Sequence, residues 1–314
     1  MKTKNLLVLT VILMLALTPA CAPRQAPTAA GSSLPGVLAV ESFLADITQN
    51  VAGDRLKVET LMPLGVDPHA FEPSPRDIAR IADSTLLVVN GAGFESWLQE
   101  TLDNAGGQHS VIEAAAELTA RVPAAGEHAE GEDEHEHTAG DPHFWLDPLQ
   151  VVGYVENIRV GLTQADPAGE EIYARNAAAY TEKLRALDAE IAAAVAQIPP
   201  EKRLIVTNHE SFGYYADRYG FKIIGTVIPS TSTGASPSAR QMAELIDTIR
   251  ATGAGALFLE TGSNTELAEQ IAADTDIRLV TGLHTHSLTA AGGPAPSYIE
   301  MMRDNTRQIV AALQ

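Results

Sequence analysis

The chain of 314 residues carries 21 basic and 40 acidic residues, a net charge of -19, with one cysteine and nine histidines. A charge of that sign opposes binding to a nucleic-acid backbone and attracts cations. A single cysteine rules out an intramolecular disulfide framework and any cysteine-based zinc site, so a bound metal would rest on imidazoles and carboxylates.

Lys2 and Lys4 precede an apolar run from Leu6 to Leu17. About twelve residues fall short of the ~20 a spanning helix needs and suit the apolar region of a signal peptide. The run ends Leu17-Thr18-Pro19-Ala20-Cys21, which resembles a bacterial lipobox with Thr18 in place of the usual leucine. Residues 1–20 thus read as a signal peptide cleaved before a lipidated Cys21, the alternative being ordinary cleavage that leaves a free thiol. Residues 21–33, with almost no bulky apolar side chains, read as a flexible tether to the membrane.

Short apolar runs then alternate with amphipathic stretches, the pattern of an α/β fold. The expected elements are a strand at Leu34–Val40, a helix at Ser42–Val51 and a strand at Leu56–Leu61, then a helix at Ser74–Ala82 and a strand at Thr85–Asn90. A helix near Phe94–Asn104 and a short strand at Ser110–Ile112 complete a first β/α lobe with a parallel-type sheet. Glu170–Ile198 is rich in Ala, Glu, Leu, Arg and Lys, has no internal Gly or Pro, and stops at Pro199-Pro200. One helix of ~28 residues would extend ~40 Å and could join two lobes. After it come strands at Arg203–Val206, Lys222–Val227, Ala256–Leu259 and Arg278–Val280. Between and after them fall helices at Tyr214–Tyr219, Pro237–Arg250, Thr265–Asp274 and Pro296–Leu313. The organisation is therefore a lobe at 34–165, a connecting helix at 166–199 and a second lobe at 200–314.

The first lobe contains an acidic, histidine-bearing loop at 126–140. Residues 126–141 hold seven carboxylates and no Lys or Arg, with His128, His135 and His137 among them. The stretch is too charged to fold alone and could collect a cation weakly, or be a solvated loop.

The other histidines border strands and helices. His69 follows Asp67-Pro68 and His143 follows Asp141-Pro142, so in both places prolines stiffen the loop that presents the ring. Asp67, Asp141 or Asp147 could orient such a ring through its second nitrogen. His209 sits where a strand gives way to a helix, the carboxyl end at which open α/β sheets bind ligands. In Leu283-His284-Thr285-His286-Ser287 an extended backbone would turn the two rings to opposite faces, so one of them is expected in a shared site.

Five segments, Gly65-Val66-Asp67-Pro68-His69, Asp141–Pro148, His209-Glu210-Ser211-Phe212-Gly213-Tyr214, Gly225–Ser230 and Gly292–Tyr298, resemble the ZnuA/TroA-like (cluster A-I) substrate-binding proteins of zinc and manganese ABC importers. The resemblance implies two β/α lobes bridged by one long rigid helix, with a metal held between them and passed to a permease without chemistry. It implies His69, His143 and His209 as ligands. Manganese-type relatives carry a carboxylate at the third place, so His209 favours zinc, in line with the preference of imidazole for zinc and of oxygen donors for manganese. At the fourth place the family's usual aspartate aligns with His286. An all-histidine set leaves the cation's charge uncompensated among its ligands, so Glu210 or Glu260 is expected to compensate from behind, or to ligate instead.

The expectation is an exported, membrane-tethered zinc-binding protein, monomeric, serving an ABC importer permease and binding no nucleic acid. The same fold serving manganese is its nearest rival. A zinc hydrolase, which would keep an open position for water, is remote, since no His-Glu-x-x-His or Gly-x-Ser-x-Gly occurs. An adhesin would give no reason for histidines at separated loops.

Overall fold

A computed structural model describes residues 34–106, 109–121 and 140–314. The expected signal peptide, Cys21, the expected tether and His128, His135 and His137 lie outside the described residues.

The first lobe runs β1 (Val37–Ala39), α1 (Ser42–Ala52), β2 (Val58–Thr60), α2 (Pro75–Asp83), β3 (Leu86–Val89), α3 (Leu98–Ala105) and β4 (Ser110–Glu113). Its strands form one parallel sheet in the order β2-β1-β3-β4, with Val37 beside both Val58 and Leu86. β1 and β3 are buried on both faces, which is why they read as unbroken apolar runs. Local chemistry sets the helix starts. At α2, Ser74 and Asp77 form a reciprocal capping box ahead of Pro75.

The sequence reading assigns no element to 148–165, yet α4 (Pro148–Ala165) is an 18-residue helix there. Gly153, Gly161 and several valines hide it, since these residue types weaken the helical signal. Val151, Tyr154, Val155, Ile158 and Leu162 nevertheless form a buried helical stripe. The glycines serve packing: a Cβ at Gly161 would lie 2.3 Å from Ile112 Cδ1, and one at Gly153 would lie 2.7 Å from Leu118 Cδ2.

α5 (Glu170–Val195) is the expected long helix, 26 residues and therefore about 39 Å at 1.5 Å per residue. Tyr173, Ala177, Tyr180, Leu184, Leu187, Ile191 and Val195 line its buried face at spacings of three or four. Tyr173 closes its start by donating to Asp166 Oδ2 (2.5 Å), and Asp166 also pairs with Arg55 in the turn that follows α1.

The second lobe runs β5 (Leu204–Thr207), α6 (Gly213–Tyr219), β6 (Lys222–Thr226), α7 (Ala239–Thr252), β7 (Ala256–Glu260), α8 (Glu266–Thr275), β8 (Arg278–Leu283) and α9 (Tyr298–Leu313). Its parallel sheet has the order β6-β5-β7-β8, the same topology as the first. α5 packs on α1 and α4 of the first lobe and on α9 of the second, so one apolar core runs through both. Among the described residues no helix is long and apolar enough to cross a membrane.

In each lobe the strand order reverses beside the first strand, and the loops at the carboxyl ends of the strands converge there. Hydrogen bonds tie the two loop sets together. Trp145 Nε1 donates to Thr285 O (2.6 Å), Tyr298 Oη to Trp145 O (2.6 Å), Leu288 N to Ser42 Oγ (2.9 Å) and Gly65 N to Ser287 Oγ (2.8 Å).

Candidate metal centre

Three Asp-Pro pairs shape the first-lobe side of this junction. Asp67 accepts from His69 N (3.0 Å), Asp141 from His143 N (2.9 Å) and Asp147 from Leu149 N (2.8 Å). Each aspartate caps a turn that its proline has already bent into place. His69 thus rides a single 3-10 turn, Pro68–Ala70, and His143 opens another at Phe144–Leu146. From the second lobe, His209 leaves the end of β5 and His286 the end of β8.

The structure brings all four rings together. One potential ligand nitrogen from each of His69, His143, His209 and His286 falls within 4.8 Å of the other three. The ring centroids are 5.1 to 5.7 Å apart for all six pairs, a nearly regular tetrahedron. His143, His209 and His286 are buried. His284 stays out of the cage, buried with Nε2 3.8 Å from Asp304, and His109 lies elsewhere with its ring against Gly106 O and Ser84 O. The backbone after Leu283 has left the strand, so β8 does not itself separate the two rings.

Carboxylates fix the rings from behind. Asp141 Oδ1 is 2.8 Å from His143 Nδ1, so that nitrogen holds the proton and Nε2 presents its lone pair. Glu260, at the end of β7, places Oε1 2.7 Å from His209 Nδ1, off the line of the ring N–H, and Oε2 3.7 Å from His286 Nδ1. Thr285 Oγ1 also reaches His286 Nδ1 at 3.2 Å. Asp67 bonds the backbone rather than the ring of His69, and its other oxygen reaches across the lobes, accepting from Thr233 Oγ1 at 2.5 Å.

The result is an electron-rich hole. His143 Nε2 and His209 Nε2 face each other at 3.3 Å, and the Nε2 atoms of His69 and His286 are buried without a hydrogen-bond partner. Lone pairs converging without donors favour a cation among them. A tetrahedral zinc with bonds of 2.0–2.1 Å spaces its nitrogens by about 3.3 Å.

Protonation agrees with this arrangement at His69, His143 and His286. Burial, then the charge of His209, lowers the His69 pKa to about 4. Burial and the neighbouring rings hold His143 and His286 well below the usual imidazole range. For His209 burial also acts downward, but the Glu260 carboxylate outweighs it and the net shift is upward. Asp141 is pushed up to about 7 by burial, against the bond from His143 N and the charge of Arg121.

The sequence reading misses the turn beneath the cage. It starts a helix at Phe94, whereas α3 begins at Leu98 and Gly91, Ala92 and Gly93 all have positive φ (80°, 53° and 78°). Glu95 pins this left-handed turn, accepting from Asn90 N (2.5 Å) and Gly91 N (3.1 Å), and Phe94 projects against the histidines. Ala in that conformation is strained. The Gly-Ala-Gly run was the available signal.

Residues 37–312 match the protein family described as zinc-uptake complex component A, periplasmic. Over 272 residues the chain is 32% identical to the manganese-binding lipoprotein MntA of Halalkalibacterium halodurans, covering 87% of this chain and 86% of that protein. Over 318 residues it is 31% identical to the metal ABC transporter substrate-binding lipoprotein ScbA of Streptococcus cristatus, covering 100% and 99%. The periplasmic zinc-binding protein TroA of Treponema pallidum superposes with a TM-score of 0.78 at 26% identity, over 90% of this chain and 99% of that one.

Proposed function

The chain belongs to this family of extracytoplasmic metal-binding proteins, which serve ABC importers and catalyse no reaction, and on that premise we propose that its cargo is Zn2+, held by His69, His143, His209 and His286. The observation that carries the choice of metal is the donor set: four imidazole nitrogens converge, and among the described residues no carboxylate joins them. Imidazole suits zinc, and a closed four-coordinate site is the usual form of a zinc site that does no chemistry. Glu260 and Asp141 supply the compensating charge through the rings they hold.

The reading extends to the ends of the transport step. Lipidation of Cys21 would hold the protein at the membrane, as the word lipoprotein in the relatives' names suggests. A monomer would pass the ion to its permease, and the acidic stretch at 126–140 would collect zinc weakly beside it. The similarity to the manganese-binding lipoprotein MntA favours a second reading, that the same cage serves manganese.

The test is metal competition on protein lacking residues 1–21. After equilibration with zinc and manganese together, bound metal is counted by elemental analysis. One zinc per chain, lost in His209→Ala, supports the proposal. One manganese per chain moves the cargo to the second reading, and no tight metal removes both.

A further inference from the structure

The four histidines leave open how the cage limits the number of ligands, and an aromatic ring outside it bears on that. Phe94 is 2% exposed. Its centroid lies 4.9 Å from His69, 5.7 Å from His143 and 5.9 Å from His286. These three rings form one triangular face of the tetrahedron. A point at such distances on the inner side of that face would coincide with His209, so Phe94 lies on the outer side, opposite His209. A fifth ligand enters a tetrahedral centre through a face, trans to the remaining ligand. Phe94 covers the face trans to His209.

Two further observations give this position a consequence. Next to Phe94 the aromatic packing continues over the cage, with Trp145 4.8 Å from Phe94 and 5.1 Å from His143, and Phe43 stacked on Trp145 at 4.5 Å. Beside it, Phe94 and His69 wall a cavity of about 200 Å³ that also reaches Ser96, Gly140 and Thr231. That volume accommodates several waters at ~30 Å³ each. Phe94 therefore separates space for water from the metal position with a ring that offers no strong hydrogen bond.

We propose that Phe94 is a specificity-determining positioning residue, which keeps water out of the coordination sphere and so favours a four-coordinate zinc over a manganese that seeks six ligands. The inference rests on zinc binding by the four imidazoles. Manganese prefers octahedral, oxygen-rich surroundings and must recruit water to complete them. With Phe94 in place, water cannot approach across that face. The left-handed turn at Gly91–Gly93, pinned by Glu95, aims the ring and excludes helix from these residues.

The experiment loads protein lacking residues 1–21 with Co2+ and compares wild type, Phe94→Ala and Phe94→Leu by visible absorption, with zinc and manganese affinities measured on the same samples. Wild type and Phe94→Leu are expected to give the intense bands of tetrahedral cobalt. Phe94→Ala is expected to give the weak bands of a five- or six-coordinate ion and a zinc-over-manganese preference reduced ten-fold or more. A tetrahedral wild type that Phe94→Ala leaves unchanged in both readouts overturns the role of Phe94 alone. Weak bands in the wild type, a measurement independent of whether Phe94→Ala folds, overturn the closed four-imidazole cage and the inference with it.

Discussion

Replacing Glu260 with glutamine separates charge from shape at the metal centre. Glu260 lies 2.7 Å from His209 Nδ1 and 3.7 Å from His286 Nδ1, and Ser211 Oγ donates to it at 3.3 Å. Measured through the His209 ring, its Oε1 would stand about 6 Å from an ion on Nε2. There a divalent ion and one carboxylate attract by about 5–6 kcal/mol at an effective dielectric of ~20. Glutamine keeps a carbonyl against the ring, so the loss should be smaller, about 10–100-fold in affinity, or about 1.4–2.7 kcal/mol. The same carboxylate raises the His209 pKa above its ordinary value. As pH falls the wild-type ring therefore takes up a proton more readily than a free imidazole, the metal must displace it, and Glu260→Gln relieves that competition. The affinity gap should narrow from pH 8 to pH 6. Zinc competition with a chromophoric chelator at both pH values reads it. A variant within about two-fold of wild type at pH 8, or a gap that widens as pH falls, would refute the charge argument.

Glu95 is pushed up to about 7 by burial, next to Glu41, whose own pKa burial and the Glu95 charge raise. A carboxylate with a raised folded pKa binds more protons folded than unfolded between about pH 4.5 and 7, so stability is present at low pH and lost as pH rises. Urea titrations of metal-free protein should show the stability of wild type relative to Glu95→Gln falling by about 3 kcal/mol from pH 4.5 to 7.5, at 1.36 kcal/mol per unit; a constant difference would count against the buried charge. Gly213→Ala should destabilise by about 1–3 kcal/mol in thermal or urea melts, because its Cβ would lie 2.7 Å from Asp141 Oδ2 and 2.8 Å from Arg121 Cδ. Zinc affinity should fall with it, since Asp141 orients His143. Leu187→Ala, inside the buried face of α5, should cost about 2–5 kcal/mol in a single cooperative transition; two separated transitions would argue that the lobes do not share a core.

The β/α alternation and the long helix were legible because burial on both faces makes the central parallel strands unbroken apolar runs, while burial on one face gives α5 a stripe of period 3.6. The histidine loops stood out because Asp-Pro-His is a backbone device as much as a chemical one, with the aspartate closing the turn that proline starts. Where local propensity and packing disagree, legibility failed. Gly153 and Gly161 give a poor helix but let α4 press against Leu118 and Ile112. At Phe94 a helical pattern yields to a turn that Glu95 holds from a later position. Glu260 had been one of two candidate carboxylates, 51 positions from His209. Its contact with two rings at once depends on β7 lying beside both β5 and β8, which the sheet order reveals.

The separation between scaffold and ligands has an evolutionary side. All four histidines stand on loops beyond the strands, while sheets and α5 carry the core. Codons for histidine and aspartate differ at their first base alone, so one point mutation at position 286 interconverts this chain's residue with the aspartate that the sequence resemblance expects there. Such a change alters the donor set and its charge and leaves the buried core untouched. Under the proposed ligand set, a change of donor is therefore one heritable step away, taken on a fold that is already stable.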